Sequence, residues 1–87
     1  MAENYNDRVD ATILIGALRL SRLNQSSLRG AIEGHRAACV QNQTDSLNGE
    51  WADWWGHRAD RCWAVLEEPN DSVLRKRARD ALIREGR

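Results

Sequence analysis

At 87 residues the chain has room for one small domain, and its thirteen basic and thirteen acidic residues cancel to a formal net charge of zero. That balance excludes an acidic mimic of nucleic acid and a broadly basic coat for it. Four Trp, one Tyr, no Phe and eleven Ala leave little bulk for a core, which favours extra support from a second copy or a partner.

The first eight residues, Met1–Arg8, are polar and do not read as a secretion signal. Val9, Ile13, Gly16, Ala17, Leu20 and Leu23 fall on one side of a helical wheel, so a first helix is expected over about 7–23, capped by Asn6 or Asp7. Leu14, Ile15 and Leu18 spill beyond that stripe. A helix apolar on more than one face is central in its fold or paired with another chain. We therefore expect self-association, most simply as a homodimer, through Ile13, Leu14, Ile15 and Leu18. The β-branched run Thr12–Ile15 admits a strand, but no hairpin partner lies nearby. The apolar stretch is too short to span a bilayer and carries Arg19 and Arg22. The expected setting is cytoplasmic, with reduced thiols.

Asn24-Gln25-Ser26-Ser27 reads as a turn, with Ser26 or Ser27 capping a second helix over about 27–41. Leu28, Ala31, Ile32, His35, Ala38 and Cys39 make its stripe. The same residues continue the phase of the first helix, so one helix over 7–42 fits the pattern as well. Gly30 and Gly34 weaken the segment or permit close approach of a neighbour. A polar break over 42–49 precedes a third helix over about 49–68, ended by Pro69. Asp71 or Ser72 then caps a thin fourth helix over about 71–85.

The third helix carries every Trp. Trp51, Trp55, Ala59, Cys62 and Leu66 share a stripe about 80° wide, widened by Trp63, and that arrangement assigns most of the indoles to the core. Trp54 stands on the flank near Arg58 and Arg61, where a guanidinium can stack on an indole. That composition suits a protein contact. Trp54, Arg58 and Arg61 are the candidate partner-binding residues.

Charge is uneven along the chain: acidic over 43–71, basic on both sides. Rim pairs between the middle helix and its neighbours are the expected use of that pattern. The basic run Arg75, Lys76, Arg77 and Arg79 is the candidate nucleic-acid surface if the protein is instead a DNA-binding regulator. A helix-turn-helix reading, with Arg29 and Arg36 exposed on the second helix, lacks the usual turn glycine and a basic domain.

Two His and two Cys are the stock of soft metal ligands, in the strings Gly34-His35-Arg36-Ala37-Ala38-Cys39 and Gly56-His57-Arg58-Ala59-Asp60-Arg61-Cys62. His35 and Cys39, at i and i+4, point the same way. His57 and Cys62, at i and i+5, diverge by roughly 140° and cannot close on one ion. A zinc-stabilised helical domain is the second alternative. No metal, cofactor or catalytic residue is expected, since both Cys lie on packing faces and no orienting third group accompanies them. The sequence thus reads as an all-α bundle of three or four helices, a non-enzymatic adaptor or inhibitor that binds another protein. The excess of Arg over Lys and the lack of motifs suit a phage or mobile-element accessory protein.

Overall fold

Each helix begins where a side chain can accept the orphan backbone N–H groups of its first turn. In the computed structural model, which describes residues 4–86, Asn4 caps α1 (Tyr5–Asn24) by accepting from the N–H of Asp7 at 2.8 Å. Ser27 caps α2 (Leu28–Asp45) through the N–H of Gly30 at 2.9 Å. Asn48 caps α3 (Gly49–Leu66) by accepting from Glu50 and Trp51. Asn70 does the same for α4 (Asp71–Gly86), accepting from Ser72 and Val73. The expected caps at Asn6 or Asp7 and at Asp71 or Ser72 thus lie two or three residues too late at α1 and one or two at α4.

The first two helices are separate. Gln25 turns the chain through the left-handed region at φ 54°, and the N–H of Ser26 closes onto the carbonyl of Ser21 at 2.9 Å. A left-handed residue stops a helix whatever the hydrophobic phase beyond it. At its far end α2 runs four residues past the expected boundary. Gln41 donates to Asp45 and the Thr44 hydroxyl to the Val40 carbonyl there.

The fold is all-α, with four helices and no strand among the described residues. α2 and α3 pack most extensively, while α1 touches all three other helices. The core is aliphatic. Val9, Ile13, Leu14, Ala17 and Leu18 of α1 meet Leu28, Ala31 and Ile32 of α2, Cys62 and Val65 of α3, and Leu74 and Ala78 of α4. Two expectations are corrected here. Ile13, Leu14 and Leu18 are buried by the chain's own helices and offer no surface to a second copy, and Ile15 is half-buried. The broad apolar girth of α1 reflects its central place, with neighbours on several sides.

The second correction concerns the indoles. Trp51 is 57% and Trp63 58% exposed, Trp54 is 40% exposed, and Trp55 is half-buried. The face that α3 turns inward is made of Ala59, Cys62 and Val65 instead. Small residues let α2 and α3 approach closely, as Gly56 shows: a Cβ there would lie 2.6 Å from the Gln43 side-chain amide. An indole does not fit in so narrow a seam.

Two polar clamps fix the register. Arg29 of α2 donates to the carbonyls of Leu66 and Glu68 at the end of α3, and to Asp71 at the start of α4. Arg61 of α3 grips Asp10 of α1 with two bonds of 2.8 and 2.7 Å. The second clamp reverses the expected polarity, since the acidic middle segment supplies the cation. No helix among the described residues is long and apolar enough to cross a membrane.

Candidate functional site

The α2–α3 corner carries an exposed apolar patch. Leu47, in the turn before the Asn48 cap, is fully exposed. Over the next two turns Trp54 meets Trp51 edge-on, with ring centroids 5.9 Å apart, and meets Trp55 edge-on at 4.8 Å. These T-shaped contacts are the favoured arrangement of aromatic quadrupoles, and they hold the rings in place without burying them. Asp45, Glu50 and Asp53, in the same stretch of the chain, are exposed as well.

Of the three expected partner-binding residues, the structure brings two together. The Arg58 guanidinium lies over the Trp54 ring, 5.5 Å from its centroid. Arg61 does not join them, because its fork is committed to Asp10, whose hydrogen bonding pushes the Arg61 pKa above its ordinary value. The sequence wheel missed Leu47 and Trp51. Leu47 is a single apolar residue inside a polar turn, a signal that was available, whereas the exposure of Trp51 depends on the close α2–α3 seam.

Arg75, Lys76, Arg77 and Arg79 of α4 are all exposed, but they are not a uniform positive strip. Lys76 pairs with Asp80 at 2.9 Å. Arg77 lines a cleft of about 260 Å³ between α1 and α4 that also holds Asp7, Asp10, Asp80 and Arg84. Arg75 and Arg79 are exposed outside that cleft, and the Arg79 charge still acts on Asp80. Arg36 lies over Trp63 at 4.8 Å, so neither Arg29 nor Arg36 is displayed as a recognition-helix side chain.

A second constellation crosses the α2–α3 seam. His35 and Cys39 of α2 converge on Cys62 of α3, with one imidazole nitrogen and two sulfurs all within 4.8 Å of one another. The Cys39 sulfur sits 3.6 Å from His35 Nε2. Both Cys are fully buried and reduced. Arg58 reaches in from the Trp54 side and donates from Nε to His35 Nε2 at 2.9 Å, which fixes that nitrogen as an acceptor.

Burial pushes the Cys62 thiol up to about 11 and raises Cys39, with Arg58 opposing both. Burial also lowers His35, and the Arg58 charge lowers it further. All three are therefore neutral near pH 7. His57 stands apart, stacked on Tyr5 at 5.5 Å, so the four soft side chains do not form one set. The i, i+4 pairing of His35 and Cys39 is legible in the sequence, but the arrival of Cys62 is not. Comparison with protein-family models, curated proteins and solved structures returned no match for the chain.

Proposed function

We propose that this four-helix domain is a non-enzymatic protein-interaction module, an adaptor or inhibitor. Its contact surface is the Leu47–Trp51–Trp54 face, with Arg58 at its inner edge. The observation that carries this reading is the exposure of two mutually packed indoles beside a fully exposed leucine, on a chain whose core uses no aromatic ring. Rigid aromatic anchors lose little side-chain entropy on binding and dominate contact energetics. The exposed carboxylates of Asp45, Glu50 and Asp53, close to this face in the chain, favour a partner segment that is apolar with basic residues nearby. The neutral, buried thiols support a binding role over a catalytic one, because nucleophilic chemistry needs a thiolate that substrate can reach.

The test is affinity capture from the native cell extract with three baits: the wild-type chain, Trp54→Ala, and Arg75→Glu/Arg79→Glu. The expected result is one discrete protein retained by the wild type and the α4 variant and lost by Trp54→Ala, with helicity unchanged in all three. Retention by Trp54→Ala would defeat the proposal, as would unfolding of that variant, which would make Trp54 a core residue. Loss by the α4 variant alone, with binding of random duplex DNA that falls steeply with salt, would move the function to nucleic acid.

A further inference from the structure

We propose that His35, Cys39 and Cys62 form a site for one thiophilic divalent cation, with zinc as the reference ion. The cation would bridge α2 and α3 from within their seam.

Three observations carry this. The first is distance. Tetrahedral zinc with sulfur at about 2.3 Å and nitrogen at about 2.0 Å places neighbouring donor atoms roughly 3.5–3.8 Å apart. The Cys39 sulfur and His35 Nε2 already stand at 3.6 Å, and the Cys62 sulfur lies within 4.8 Å of both, so a shift of about 1 Å completes a facial trio. The second is the tautomer. His35 Nε2, 3.6 Å from the Cys39 sulfur, accepts from Arg58 and so carries no proton, which leaves its lone pair to be exchanged from the guanidinium to an ion.

The third is charge. Two thiolates and a neutral imidazole around a divalent ion sum to zero, so the complex can sit in a buried seam with no net charge to desolvate. Binding displaces two thiol protons to solvent, and the apparent affinity therefore rises with pH. His35 Nε2 gives its lone pair to the ion, which ends its bond to Arg58. The guanidinium keeps its second contact, the Trp54 ring.

Three protein donors leave a fourth position for a small exogenous ligand. His35 and Arg58 also line a surface pocket of about 230 Å³ with Thr12, Ile13, Gly16 and Leu20, so the imidazole side of the site borders solvent. The site is independent of the partner reading above, since it needs no residue of the Leu47–Trp51 patch.

The experiment uses the full chain, reduced and stripped of metal at pH 7.5, titrated with zinc chloride and separately with cobalt(II). The expected result is one equivalent bound per chain, with tetrahedral cobalt absorption and a thiolate-to-cobalt charge-transfer band. Binding should release about two protons per zinc at pH 7.5, read with a pH indicator in weak buffer. At free zinc a hundredfold above the dissociation constant, the melting temperature should rise by roughly 10–20 °C.

Replacing a ligand, in His35→Asn, Cys39→Ser or Cys62→Ser, should weaken binding by more than the roughly 10–100-fold typical of losing an outer-shell partner. His57→Asn should bind as the wild type does. His35→Asn keeps the readout usable if a serine variant fails to fold, because His35 is only half-buried. Absence of stoichiometric binding by the folded wild type overturns the proposal. So does binding without proton release, or a His57→Asn loss as large as that of His35→Asn. A Cys39–Cys62 disulfide that persists under millimolar thiol would also overturn it.

Discussion

Arg29→Met should be among the most damaging single changes outside the aliphatic core. The side chain is three-quarters buried and holds three acceptors on two other elements: the carbonyls of Leu66 and Glu68, and the carboxylate of Asp71. Methionine keeps most of the aliphatic stem, so the lost terms are polar. Each carbonyl bond to a charged donor is worth about 1 kcal/mol once partial rehydration of a helix end is allowed for. Asp71 is 59% exposed, and that pair adds only about 0.5 kcal/mol.

The sum is about 2–3 kcal/mol, or a fall in melting temperature of roughly 8–20 °C for a domain of this size. Urea unfolding followed by far-ultraviolet circular dichroism gives the free energy directly, with the slope expected to be unchanged. Arg29→Lys should recover less than half of the loss, because an ammonium cannot reproduce a planar fork to three separated acceptors. A stability within about 0.5 kcal/mol of wild type for Arg29→Met, or full rescue by lysine, refutes the idea that this residue staples α3 and α4 to α2.

Gly34→Ala should stabilise the chain by about 0.5–1 kcal/mol in the same assay, since Gly34 is inside α2 and a Cβ there meets nothing within 4 Å. Asp10→Ala and Arg61→Ala should show a coupling of about 1–2 kcal/mol in a double-mutant cycle, reflecting the paired bonds between them. Burial, helped by the Arg58 charge, holds the His35 pKa below its ordinary value, so the unfolded chain takes up a proton first as pH falls. Stability should then fall as pH drops through the ordinary imidazole range, a component that His35→Asn removes. The raised thiols act at the other end of the scale. Their contribution is complete below the ordinary thiol range and is lost as pH climbs toward about 11, as alkaline unfolding of Cys62→Ala against wild type should show.

The helical type of the segments and the break over 42–49 follow from the chain because 3.6-residue periodicity and polar breaks act locally, whereas the number of helices is left at three or four. Asn48 and Ser27 mark helix starts by the same local logic. The break after Asn24 is different, since the hydrophobic phase runs through it without a fault. Only the left-handed backbone at Gln25 decides it, and glutamine carries little preference for that conformation. The indoles are harder still. A wheel shows which residues share a face of α3, but not how near α2 comes. That distance puts Ala59 and Cys62 inside and leaves Trp51 and Trp63 at the surface. For the same reason His35 and Cys39 are visible as a pair, while their meeting with Cys62 depends on the register that the Arg29 and Arg61 clamps set.

An aromatic-free core has a practical consequence for anyone handling this protein. Every indole emits from the rim, so intrinsic fluorescence and near-ultraviolet dichroism report what touches the surface and are nearly blind to loosening of the aliphatic centre. A swollen state that keeps its helices could pass as native by those optical signals. Amide hydrogen exchange or the methyl resonances of Ile13, Ile32, Val65 and Leu74 would reveal it.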